Sequence, residues 1–179
     1  MLAPVGTVVT RVGELRQDRT VPIEDIDHVA LPTSRPEEML AFYLGLGFRG
    51  PSVEEWQRRG VPFFSVALGN TKLNVHAPDL WNDPAMTLRA PTAVPGCADL
   101  CFRWSGTIDE ACALLANVGA AIEEGPVIRR GGRARGRADG TSVYARDPDG
   151  NLIELITYPD VDEDRSSESS TTAARAVPL

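Results

Sequence analysis

Lysine is nearly missing from this chain. Lys72 is the only one among 18 basic residues, a bias to which no mechanism attaches. Cysteine is scarce as well: Cys97, Cys101 and Cys112 make an odd count without metal-ligand spacing. That pattern excludes a disulfide framework and fits reduced thiols packed as small hydrophobes in a cytosol. No thiolate-stabilising context accompanies them, so a nucleophilic role is not indicated. Apolar runs fall far short of the roughly 20 residues a bilayer span needs. Residues Met1 to Arg11 lack a basic segment followed by an apolar stretch, so no secretory signal is expected. Positive charge is not in excess either. At a formal net charge of -7 the chain as a whole repels polyanions, which argues against a general nucleic-acid surface.

What is present fits one globular domain. Its 179 residues are 42% hydrophobic and 24% charged, ordinary values for a folded protein. Residues 1–24 are weakly patterned and read as an N-terminal arm. From Asp160 the chain is acidic, then rich in Ser, Thr and Ala, and residues 160–179 read as a disordered tail. Between them a pattern occurs twice. Ile26–Leu31 reads as a strand, followed by a helix from Pro36 to about Leu44 for which Ser34 is the expected cap. Phe48 onward is expected to be extended, with strands at Val61–Leu68 and Thr71–His76. Four prolines between Ala77 and Gly96 mark a crossing loop. Then Ala98–Trp104 reads as a strand and Thr107 caps a helix from Ile108 to Val118, with Glu110 completing a capping box. Ala121–Ile128, Ser142–Arg146 and Asn151–Thr157 follow as strands. Strand, helix, three strands thus repeats after about 70 residues, which gives modules at about 25–77 and 97–159 of a 25–159 domain.

The most informative stretch is Val143 to Thr157, two strand-like runs around Asp147-Pro148-Asp149-Gly150. Pro presets φ and Gly accepts a positive φ, so the tetrad is a turn. Alternation sends Leu152, Glu154 and Ile156 to one face and Ile153, Leu155 and Thr157 to the other. Glu154 is the one charge in an otherwise apolar strand, and a carboxylate there needs a cation, a metal or several donors. Only two histidines exist, and both fall in strands. His28 shares a face with Ile26 and Ala30; His76 shares one with Lys72 and Asn74. Imidazoles with a carboxylate suit a divalent ion such as Zn, Fe, Mn, Ni or Co and leave coordination positions for a substrate.

Three segments carry a resemblance: Asp27-His-Val-Ala-Leu31, Phe42-Tyr-Leu-Gly-Leu-Gly-Phe48 and Tyr144-Ala-Arg-Asp-Pro-Asp-Gly-Asn-Leu-Ile-Glu-Leu155. Through them the chain resembles the vicinal oxygen chelate superfamily, which includes glyoxalase I, extradiol dioxygenases and bleomycin-resistance proteins. Lys72-Leu-Asn-Val-His76 and Glu123-Glu-Gly-Pro-Val127 bring it nearer to the glyoxalase-domain-containing group. The resemblance implies an α+β fold of two βαβββ modules forming a curled mixed sheet around a cleft. It implies a divalent-metal enzyme, a glyoxalase-like lyase or isomerase, acting on a small substrate that chelates through adjacent oxygens. An Fe(II) dioxygenase and a metal-free drug- or metabolite-binding protein are the alternatives; a structural module is a third. Metal ligands are expected at His28, His76 and Glu154, with Glu154 and Asp99 as the catalytic carboxylates. Asp99 sits where the second module repeats His28, and Asn74 sits in the glyoxalase ligand register. Lys72, Arg103, Arg130 and Tyr144 are the expected substrate-binding residues. Arg130 belongs to an arginine-rich loop, Arg129 to Arg137, suited to a lid that grips an anion. A cytoplasmic homodimer without nucleic-acid or membrane partners completes the expectation.

Overall fold

The structure is a computed structural model that describes residues 22–159. The proposed tail and almost all of the proposed arm lie outside the described residues. Two mixed sheets form the molecule. The first holds β1 (His28–Pro32), β2 (Phe63–Leu68) and β3 (Thr71–His76) in the order β1-β3-β2. The second holds β4 (Asp99–Arg103), β5 (Glu124–Arg130), β6 (Asp139–Arg146) and β7 (Leu152–Thr157) in the order β4-β7-β6-β5. In each, the first strand runs parallel to the last and the hairpin strands are antiparallel. The duplication read from the sequence is therefore real, with one reduction. The strand expected after Phe48 survives only as an isolated bridge between Arg49 and Ala67.

A helix occupies much of the segment expected to be extended. It is α2 (Val53–Arg59), and it follows α1 (Pro36–Gly45) in the crossover from β1 to β2. Ser52 accepts from the Glu55 amide while the Glu55 side chain returns to the Ser52 amide, and Gly60 closes the helix in the left-handed region at φ 61°. This capping box satisfies two otherwise unpaired amides. Its Ser-x-x-Glu signature was visible, but the irregular apolar spacing masked it. A short α3 (Pro78–Trp81) interrupts the proline-rich crossing. The helix α4 (Ile108–Asn117) carries the expected Thr107–Glu110 box, and α5 (Arg133–Gly136) is a single turn in the arginine-rich loop.

Ser34 does not cap α1. Arg35 occupies that position without a side-chain bond, and Ser34 is bound to Asp149 by its amide (3.1 Å) and hydroxyl (2.5 Å). Asp149 belongs to the β6–β7 turn, and it also accepts from Thr33. Beside it, Asp147 accepts from the Asn151 amide (2.9 Å), the Asn151 side chain (2.8 Å), the Asp149 amide (3.1 Å) and the Tyr43 hydroxyl (3.1 Å). The Asp-Pro-Asp-Gly-Asn turn is thus a staple between modules, tying the second hairpin to β1 and α1. One apolar core runs through both modules. It takes Leu31, Val66, Leu73 and Val75 from the first sheet, Val143, Ala145, Ile153 and Leu155 from the second, and Met39, Leu40, Tyr43 and Leu115 from the helices. Phe48 and Phe102 meet edge to face across it, 5.3 Å between centroids.

Candidate active site

Strand alternation leaves each sheet a second face, turned away from this core and carrying the polar residues. On the first sheet it holds His28, Lys72, Asn74, Ser65 and His76. On the second it holds Asp99, Cys101, Arg103, Ser142, Tyr144 and Glu154, whose registers align them in rows. Both His28 and Asp99 are exposed, and these faces are open in a single chain.

His28 is held by its neighbour. Its Nδ1 lies 2.6 Å from Asp27 Oδ1, and the imidazole beside Asp27 holds that carboxyl below its ordinary range. A carboxylate on Nδ1 fixes the tautomer and leaves the Nε2 lone pair for a metal. Asp27 was not among the expected site residues, although its adjacency was visible in the sequence. Glu154 is half-buried in mid-strand between Cys101 on β4 and Tyr144 on β6. Ser142 Oγ donates to its Oε1 at 2.5 Å. Cys101 stands opposite it in the β4–β7 register, and burial together with that neighbouring carboxylate pushes the thiol up to about 12. This cysteine is a thiol rather than a thiolate. Among the described residues, Glu154 has no ion-pair partner, and the Ser142 hydroxyl is the donor that meets its charge.

The register separates the two histidines. His28 pairs with Lys72, whereas His76 pairs with Pro32. Four residues along parallel strands place them roughly 13 Å apart at ~3.3 Å per residue. That is a backbone separation, and both side chains stand off the same face in parallel, so the register does not bring the two imidazoles to the ~2.1 Å donor distance of one ion. His76 thus shares the face of His28 but not its end of the sheet, and burial alone lowers its pKa. Asn74, by contrast, pairs with Ala30 and so lies diagonal to His28. The second sheet repeats this relation: Asp99 pairs with Leu152, Cys101 with Glu154, and Asp99 is diagonal to Glu154. His28 corresponds to Asp99 and Asn74 to Glu154. Diagonal neighbours sit about 7–8 Å apart at Cα, within reach of a common ion. Among the described residues of one chain, no three His, Cys, Asp or Glu side chains gather around a point.

Of the expected substrate contacts, Lys72, Arg103 and Tyr144 lie on the polar faces. Arg130 does not. It pairs with Asp139 and aligns with the helix-covered side, and its Nε lies 3.4 Å from Asp139 Oδ1. Arg129 is the arginine on the face of Glu154. Its guanidinium sits 5.7 Å from the Tyr144 ring centroid and is paired to Glu124. The bulge between Glu124 and Val127 shifts the alternation by one residue, which reading alternation from the sequence did not anticipate.

The family model described as Glyoxalase/Bleomycin resistance protein/Dioxygenase superfamily matches residues 25–155. Virulence protein STM3117 of Salmonella typhimurium is 36% identical over 137 residues, 76% of this chain and 85% of its own length. A glyoxalase domain-containing protein, RDO1, of Mycosarcoma maydis is 32% identical over 145 residues, 81% of this chain and 74% of its own. The crystal structure of STM3117 superposes with a TM-score of 0.63 at 33% identity, covering 78% of this chain and all of the other. TnmS3, an antibiotic binding protein from Streptomyces sp. CB03234, gives 0.55 at 25% identity over 78% of this chain and 99% of its own.

Proposed function

This chain belongs to the Glyoxalase/Bleomycin resistance protein/Dioxygenase superfamily, and from that membership we propose a divalent-metal enzyme whose small substrate chelates through adjacent oxygens. His28, Asp99 and Glu154 would hold the ion, with Asn74 in the fourth equivalent position. The donor types fit: an imidazole with its Nδ1 already engaged, plus two carboxylates, suits Zn, Fe, Ni, Co or Mn. The supporting observation is the repeated diagonal, His28 with Asn74 and Asp99 with Glu154. The two halves lie on different sheets that face away from a shared core, so a second copy of the chain is needed to close the cleft. A homodimer is part of the reading, and so is a cytoplasmic location, consistent with free Cys97, Cys101 and Cys112.

When bound, the ion would supply Lewis-acid polarisation of the chelated oxygens. The protein's residues do the remaining work. Asp99, exposed at the start of β4, accepts and returns the substrate proton. Ser142 holds Glu154 in one orientation through its hydroxyl. Tyr144 and Arg129 form one wall, and Lys72 and Arg103 balance negative charge that develops on the substrate. Glyoxalase-like lyase or isomerase chemistry leads. Fe(II) oxygenase chemistry is the weaker reading, because one His with two carboxylates departs from the two-His, one-carboxylate triad.

The test is metal content of anaerobically purified protein by plasma mass spectrometry. Near-stoichiometric metal in the parent and in His76→Ala is expected, with loss in His28→Ala, Asp99→Ala and Glu154→Ala. A parent that takes up no metal, even after each ion is added back, would sink the enzyme. That outcome would leave a metal-free binding protein, the reading favoured by Asn74 standing where a charged ligand would and by the resemblance to TnmS3.

A further inference from the structure

The polar face of the first sheet runs well past the proposed metal position. His28 and Asn74 hold one end of it. At the other end His76 stands between Pro32 on β1 and Phe63 on β2, in one row across the sheet. Two residues separate Asn74 from His76, so this row lies about 7 Å beyond Asn74 at ~3.3 Å per residue. An ion held between His28 and Asn74 would therefore stand about 10 Å from the row.

The row differs in kind from the rest of the face. By alternation Phe63 shares the side of Ser65, whose hydroxyl donates to Asn74 Oδ1 at 2.7 Å, while Phe64 and Val75 beside them point into the core. Phe63 is 44% exposed, an aromatic ring on a face that is otherwise polar. His76 is part-buried; among the described residues, no charge or hydrogen bond acts on its ring to offset that burial. Both imidazole nitrogens are thus without a partner, in contrast to His28, whose Nδ1 is held by Asp27. The end of the row is closed. The chain turns from His76 straight into α3, and Trp81 Nε1 donates to the Thr33 carbonyl (2.9 Å) while the Thr33 amide donates to the His76 carbonyl (2.9 Å). These bonds hold α3 against the strand ends, and Pro32 is buried although it aligns with the outer face.

Building on the metal-enzyme reading, we propose that Phe63 and His76 form a distal subsite of the cleft. It selects substrates that carry, about 10 Å from the chelating oxygens, an aromatic ring bearing a hydroxyl. The ring packs on Phe63. The hydroxyl bonds a ring nitrogen of His76, which as a neutral imidazole offers both a donor and an acceptor. His76 then determines specificity rather than ligating the ion.

Catechol, 4-phenylcatechol and 4-(4-hydroxyphenyl)catechol, titrated calorimetrically into the zinc-loaded full chain, test this. The phenyl group should tighten binding about tenfold over catechol, and its hydroxyl about fivefold more. Phe63→Ser, an exposed edge-strand position, should erase the phenyl gain and leave catechol within about twofold. His76→Phe, which keeps a ring of similar shape, should erase only the hydroxyl gain. Zinc that does not bind, with catechol inert and both biphenyls still dependent on Phe63 and His76, would fell the metal reading and leave the subsite standing. Gains that survive both substitutions, or biphenyls that bind no better than catechol, overturn the subsite. So does sedimentation showing that Phe63→Ser separates copies of the chain, because the ring then belongs to their contact.

Discussion

Replacing Asp147 with alanine tests the idea that the β6–β7 turn staples the two modules. The carboxylate is 5% exposed and accepts four hydrogen bonds, two of them from the buried Asn151 and one from the fully buried Tyr43 hydroxyl. Burial raises the Asp147 pKa, and the same burial with the nearby carboxylate pushes the Tyr43 phenol upward. Alanine leaves the Tyr43 hydroxyl and the Asn151 amide group without acceptors, at about 1–3 kcal/mol for each stranded donor. Relief of the carboxylate's own desolvation offsets part of this, so about 3 kcal/mol is expected. At roughly 2–4 °C per kcal/mol for a chain of this size, Tm falls by roughly 6–12 °C. Tyr43→Phe, which removes one bond and strands nothing, should cost about 1 kcal/mol. Urea unfolding of the single and double variants measures both the losses and their coupling. Both modules share one core, so fluorescence and circular dichroism should report one transition. A loss below 1 kcal/mol in Asp147→Ala, or separate transitions for the two modules in the parent, would refute the staple.

Other outcomes follow from the same geometry. Asp27→Asn, which weakens the hold on His28 Nδ1, should lower metal affinity about 10–100-fold without unfolding the protein, read by competition with a chelating dye. Burial lowers the His76 pKa, so the unfolded chain binds the proton more readily than the folded one. Stability should therefore fall as pH drops below about 6.5; denaturant midpoints between pH 5 and 7 should show this slope, and His76→Gln should flatten it. A Cβ at Gly125 would lie 2.5 Å from the Ser142 carbonyl oxygen, at φ 110°. Gly125→Ala should cost about 2–4 kcal/mol by overpacking and a strained φ together, measured by urea unfolding. Removing the α2 cap with Ser52→Ala should cost about 1 kcal/mol.

Sequence alone determined whatever depends on local pattern. The alternation around Glu154, the turn at Asp147–Gly150 and the capping box at Thr107–Glu110 follow from side-chain periods and backbone preferences, which need no knowledge of partners. The repeat of these patterns was enough to give two modules, and the three motif segments were enough to give the family. The helix at Val53–Arg59 was written in its Ser52–Glu55 box but lost behind weak periodicity. What the tertiary structure decided is register. Alternation tells that His28 and His76 share a face, not how far along the neighbouring strand each stands, and it carries no sign of a bulge. Pairing of β1 with β3 moved His76 about 13 Å from His28 and brought Asp99 forward, and the bulge in β5 exchanged Arg130 for Arg129. Ser34 does not cap its helix because its amide and hydroxyl are taken by Asp149, a carboxylate 115 residues away. Each correction involves hydrogen bonds between distant segments, and those are chosen by the packing of the whole core rather than by any stretch within it.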